Sequence, residues 1–177
     1  MDQKKLQALR NKYQDQQMDE VDDSEFKRSL IGLNDLSSGI ATLLDAPYQE
    51  GLDDLDIALI GIPFDSGVFH RTGARFGPRA IRDMSMMVGP FNHQTRVNPF
   101  TLCAVADIGD VSLHGFSLEE GIQTIEEYYH KVIDAGVVPV SAGGDHSVTY
   151  PVMKAVGRDQ PVGMVHIDAH CDTMGAA

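Results

Sequence analysis

An α/β fold, with a parallel sheet and helices on both of its faces, is what this sequence predicts. Short apolar runs at 56–63, 102–106, 137–141 and 162–168 are bounded by Gly, Pro or Asp, as strands buried on both faces are. Segments of helical spacing lie between them. That alternation implies right-handed crossovers and parallel strands, with ligands at the strands' carboxyl ends.

The chain opens on a polar, charged stretch. Leu6, Leu9 and Tyr13 line one narrow face of a short helix there, before Asp19-Glu20-Val21-Asp22-Asp23 breaks the pattern. Residues 1–35 are read as a polar N-terminal arm, mobile or in contact with a second subunit, and residues 36–177 as part of a single domain. Asp56–Ile62 is the first strand, stopped by Pro63. Gly77-Pro78-Arg79-Ala80-Ile81-Arg82 opens a helix with proline in its first turn. Leu102–Ala106 is the second strand and Asp107-Ile108-Gly109-Asp110 its turn. Ser117, with Glu120 three residues on, makes a capping box. The helix it starts carries Ile122, Ile125, Tyr129, Val132 and Ile133 at helical spacing, and Gly136 closes it. Val137–Ser141 is the third strand, although Pro139 cannot donate to a ladder. Ser147–Val156 is a short helix with Pro151 in its first turn, and Val162–Asp168 is the fourth strand.

At 177 residues and 42% hydrophobic content, the chain can bury one real core. No apolar run reaches the roughly 18–20 residues of a membrane helix, so no membrane partner is expected. Met1-Asp2-Gln3-Lys4-Lys5 leads into polar sequence, and no secretory signal is expected. A formal net charge of -12 argues against a nucleic-acid partner and would mildly attract cations. Cys103 and Cys171 are too few for a disulfide framework, and a reducing, cytoplasmic location is expected.

The chemistry-bearing residues fall at strand ends. In Asp168-Ala169-His170-Cys171-Asp172, extended backbone turns Asp168, His170 and Asp172 to one face and Cys171 to the other. Two carboxylates closing an apolar strand are costly unless a cation compensates them. In Gly143-Gly144-Asp145-His146-Ser147, paired glycines let the chain turn sharply and set His146 beside a helix start. A plain capped turn would explain that segment alone. Carboxylates with imidazoles suit Mn²⁺, and thiolates would suit zinc. Bridging carboxylates would allow two ions about 3.5–4 Å apart. His166 has the parity of Asp168 and is read as a core histidine, with a supporting role behind the ligands as the alternative. Asp145 either orients a ligand or caps a turn. Asp65, Arg71 and Arg75 are read as an ion-paired structural loop rather than as the border of a site. The dinucleotide and P-loop glycine patterns are absent, and Ser147 lacks a nucleophile elbow.

These two motifs in this order resemble those of the ureohydrolase family, which holds arginase, agmatinase, guanidinobutyrase, guanidinopropionase and formiminoglutamase. The resemblance extends to Gly61-Ile62-Pro63-Phe64-Asp65 and to Arg71–Pro78, and spans roughly residues 38–173. It implies an arginase-like three-layer fold whose C-terminal part is missing. It also implies a cofactor of two Mn²⁺ per active site, with His146, Asp168, His170 and Asp172 as metal ligands and Asp168 bridging. A further Asp-x-Asp motif and the proton donor are expected beyond residue 177, so the catalytic residue is unknown and this chain alone is expected to be inactive. The implied reaction is attack of an activated water on a guanidinium carbon, releasing urea and an amine. The sequence around His166–Thr173 is similar to agmatinases and their guanidino-acid relatives rather than to arginases; agmatine, a small cationic guanidino substrate, and polyamine metabolism are expected. A guanidino-acid hydrolase, a dead metal-binding fragment and a single-zinc deacetylase-type relative are the alternatives. The resemblance also implies a homo-oligomer for the full-length protein.

Overall fold

The computed structural model describes residues 3–18, 38–88, 90–92, 94–95, 97–113 and 117–170. Among these, three parallel strands form one sheet: β1 (Ile57–Gly61) lies in the middle, β2 (Val105–Asp110) on one side and β3 (Val138–Ala142) on the other. The helices are α1 (Gln3–Met18), α2 (Gly77–Ser85), α3 (Pro99–Leu102), α4 (Leu118–Asp134) and α5 (Thr149–Val156).

Alternation along β1 builds two apolar layers. Ala58, Ile60 and Ile62 pack with Ile125, Tyr129 and Val132 of α4 and with Val148 and Ala155 at α5. Leu59 faces the opposite way, onto Leu43, Ala46 and Ala142, with Phe100 and Val105 at the margin. Each fully buried side chain of this size contributes about 1.5–3 kcal/mol. The sheet is therefore covered on both faces, as the fold class requires.

Helix ends follow their local chemistry. The Ser117 hydroxyl accepts from the Glu120 amide at 3.3 Å and starts α4. Gly136, at φ +73°, ends it, with Gly136 N–H donating to Ile133 and Val137 N–H to Val132; this is the Schellman pattern that only glycine enters without strain. Pro78 sits in the first turn of α2 and Pro151 in that of α5. Pro139 is tolerated because β3 is an edge strand. The Val138 amide donates inward to Asp56, so the next residue faces outward, where no ladder donor is lost.

Two expectations fail. The second strand begins at Val105, three residues later than expected, because Asn98 caps a helical turn at Pro99 that consumes Leu102. Lys12 of α1 closes that turn, donating to the Thr101 carbonyl at 2.5 Å and to Leu102 at 3.4 Å. The strand then runs through the acids read as a turn. Its register slips between Leu59 and Gly61, where β2 spends one extra residue around Gly109 at φ +84°. That bulge brings both Asp107 and Asp110 to the Arg82 guanidinium, at 2.8 and 2.5 Å.

The other failure is Val162–Asp168, which is not a strand. It is irregular and exposed, with Val165 at 93% and Ile167 at 94% of full exposure. A strand buried on both faces needs apolar cover on each side, and the described residues supply none over this segment. The helix in the N-terminal arm does form, as α1, while the expected boundary at residue 35 lies outside the described residues.

Candidate metal centre

Parallel strands put the carboxyl ends of β1 and β3 side by side. Past them the ladder continues: Ile62 N–H donates to Ala142 and Asp145 N–H to Phe64, each at 2.8 Å. Gly144 is required by this approach rather than by its backbone angles. A Cβ there would lie 1.8 Å from the Phe64 carbonyl oxygen. Asp145 caps the turn His146–Val148, accepting from the Ser147 amide at 2.9 Å, and also accepts from the Gly67 amide at 2.8 Å. Of its two readings, capping is the one observed. Asp65, 1% exposed, pairs with Arg75 and accepts from the Gly73 amide at 2.7 Å. The Arg75 guanidinium holds its carboxyl well below the usual carboxylate range, at about 2. Arg71 stays exposed at the loop tip.

The turn after Asp145 sets His146 opposite the 166–170 segment. His146 Nδ1 is 3.8 Å from Asp168 Oδ2, and His166 Nε2 is 3.3 Å from the same oxygen. The two imidazoles stack, with centroids 5.0 Å apart. His146, His166 and Asp168 each offer a donor atom within 4.8 Å of the others. Two donors each about 2 Å from one ion lie roughly 3–4 Å apart, a spacing that the 3.8 and 3.3 Å histidine–aspartate separations match. The second carboxylate oxygen, Asp168 Oδ1, faces His170: it accepts from the His170 amide at 2.9 Å and lies 3.6 Å from His170 Nδ1. The backbone N–H of His170 is the main cause that keeps the Asp168 carboxyl below its usual range, and the neighbouring histidines add to it. Asp168 therefore stays ionised, as a ligand must.

Among the four residues proposed from sequence as ligands, His146, Asp168 and His170 are brought together, His170 at the margin. Asp172, and with it the parity argument about Cys171, lies outside the described residues. His166 corrects the expectation of a core histidine: it is exposed and belongs to the cluster. Its parity with Asp168 was the available signal. Arg82 was missed as well. It joins Asp107, 1% exposed, to Asp110, and sequence gives no pairing across 25 residues.

Comparison with known proteins gives consistent neighbours. The human mitochondrial guanidino acid hydrolase is 43% identical over 140 residues, covering 78% of this chain and 40% of that protein. The chicken mitochondrial agmatinase is 44% identical over 140 residues, 78% of this chain and 41% of that protein. The chain thus spans about 40% of the length of these relatives. Among solved structures, the proclavaminate amidino hydrolase of Streptomyces clavuligerus superposes with a TM-score of 0.71 at 32% identity, over 80% of this chain and 48% of that one. Both animal relatives are mitochondrial by name, which overturns the cytoplasmic expectation; charge balance and cysteine count carry no address, because addresses are read by receptors. No helix among the described residues is long and apolar enough to cross a membrane. The parallel sheet with helices on both faces is the fold shared with the superposed amidino hydrolase, and the arginase family model matches residues 55–177, so the chain belongs to the arginase family.

Proposed function

We propose that this chain carries part of the metal site of a manganese-dependent ureohydrolase that converts agmatine to putrescine and urea. One observation carries the reading: a single carboxylate, Asp168, turns one oxygen toward His146 and His166 and the other toward His170. His146, Asp168 and His170, with Asp172 as a further ligand, would hold the manganese of the complete site, and Asp168 offers one oxygen to each side. The donor set among the described residues is carboxylate and imidazole, which favours Mn²⁺ over zinc. When bound, manganese supplies Lewis acidity and a water acidic enough to react at neutral pH.

The chain's own residues do the rest of the positioning. Asp168 stays ionised beside its histidines. His166 stacks on His146 and reaches Asp168, which limits how either can rotate. Asp145 fixes the turn that presents His146. The net charge of -12 draws in a cationic guanidino compound. A second reading, a guanidino acid as substrate, is favoured by Arg71: it is exposed in the loop whose Gly67 amide binds Asp145, and a guanidinium there could receive a carboxylate.

The complete gene product, stripped of metal and reloaded with Mn²⁺, tests this. The expected result is two Mn²⁺ per chain and urea release from agmatine. His146→Ala and Asp168→Asn should each lower urea release at least about a hundredfold, since supporting residues alone are worth 10–100-fold. The 177-residue chain by itself should release none; lack of a proton donor alone removes about 10²–10⁴ in rate. One tightly held zinc per chain, or urea from neither agmatine nor guanidinobutyrate, would overturn the proposal. Urea from guanidinobutyrate only would install the second reading.

A further inference from the structure

Four residues beside His146, namely Gly143, Gly144, Asp145 and Ser147, lean on one segment, residues 64–77, while Val148 anchors the far end of the turn in the core. Gly143 meets Gly77, where a Cβ would come 2.9 Å from the Gly143 carbonyl oxygen. Gly144 lies against the Phe64 backbone, and the Asp145 amide donates to the Phe64 carbonyl at 2.8 Å. The Asp145 carboxylate takes the Gly67 amide at 2.8 Å, and a Cβ on Gly67 would sit 2.7 Å from Ser147 Oγ. On its amino-terminal side, the position of His146 is thus inherited from this loop. The loop in turn is closed on itself by Asp65. Its carboxylate is buried, holds the Arg75 Nε at 2.6 Å and takes the Gly73 amide at 2.7 Å. A charged pair beside an exposed loop is usually worth little. This one has its carboxylate at 1% exposure and is held by both side-chain and backbone donors, so the loop cannot open without stranding a buried charge.

We infer that Asp65 and Arg75 are a positioning pair for His146: they set where its imidazole stands relative to Asp168 although neither touches it. The inference rests on the reading of His146 as a metal ligand. Supporting residues of ligands change metal affinity by 10–100-fold because they fix ligand orientation. A pair acting only on general stability would weaken the fold and leave affinity in the folded population unchanged.

The experiment is a Mn²⁺ titration of the metal-free complete gene product, reading free Mn²⁺ by its electron paramagnetic resonance signal, at a temperature where circular dichroism shows each variant folded. Asp65→Asn and Arg75→Ala should each weaken binding about tenfold. Arg75→Lys, which keeps the charge and loses the planar fork, should recover only part of it. The deciding comparison is the double variant. In a His146→Ala background, Asp65→Asn should cause no further loss, because the residue it positions is gone. A full tenfold further loss there, or unchanged affinity in both Asp65→Asn and Arg75→Ala, overturns the inference. If Asp65→Asn fails to fold, the half-exposed Arg75→Ala carries the same comparison. His146→Ala that binds Mn²⁺ as tightly as the parent overturns the metal reading itself, an outcome separate from the previous two.

Discussion

At the scale of single residues, two aspartates are held ionised by different means. Asp168 relies on a backbone amide and surrounding histidines in the open, whereas Asp65 relies on Arg75 in a buried place. Since the folded pKa of Asp65, about 2, lies below its ordinary 3.8, the pair stabilises the fold above about pH 4. That contribution is lost as pH falls from there toward 2, because the unfolded chain binds the proton first. Denaturant melts at pH 6, 4 and 2.5 should therefore show a steeper loss in the parent than in Asp65→Asn. Equal slopes would mean that Asp65 titrates alike in both states. Parity along an assumed strand named Asp168 and His170 from sequence and admitted His166; the segment is irregular instead, and a local turn, with the His170 amide on Asp168 Oδ1, is what draws these residues together. Reading from sequence was poor where function depends on a buried partner. The pairing of Asp65 with Arg75 was legible in a ten-residue loop, while that of Arg82 with Asp107 was not, since nothing local links a helix residue to an acid one strand later.

Elements were legible by their ends more than by their middles. Ser117, Gly136, Pro78 and Pro151 mark α4, α2 and α5 because capping chemistry is local. The second strand was misplaced because acids usually signal turns, and here a buried arginine reverses that rule. Arg82 on α2 bonds Asp107 at 2.8 and 3.0 Å and Asp110 at 2.5 Å, tying a helix to the bulged strand. Burial pushes the Asp107 carboxyl up, but Arg82 and the Leu43 and Gly109 amides outweigh it and hold it below its usual value. Gly61 belongs to the same arrangement: a Cβ on it would overlap Asp110 Oδ1, at 1.8 Å. Arg82→Met should destabilise the fold by about 3–5 kcal/mol, because it leaves a buried carboxylate without its cation. Replacing Asp107 by Leu in the same chain should restore much of that loss. Denaturation midpoints of the two variants check this; a loss under about 1 kcal/mol for Arg82→Met would mean that water reaches Asp107.

At the scale of the whole molecule, the sheet has its best-covered strand in the middle and a partly exposed edge strand at one side. Val140 on β3 is 49% exposed, against 0% for Ile60 on β1. The segment 161–170, which carries three of the candidate ligands, is exposed throughout. Fold class was legible because alternation of apolar runs and helical spacing survives in any parallel sheet. The state of the last run was not, because burial on both faces depends on elements the run itself does not encode. The position of β3 also sets a pattern in amide hydrogen exchange. Every N–H of β1 faces a neighbouring strand, so protection along it should be continuous and limited by global unfolding. Along β3 the parity set by Val138 turns the Val140 and Ala142 amides inward. Pro139 has no amide, which leaves Ser141 as the single outward N–H of the strand. Deuterium should enter Ser141 orders of magnitude faster than its two neighbours, and slow exchange at Ser141 in the complete gene product would reveal a strand docked beside it.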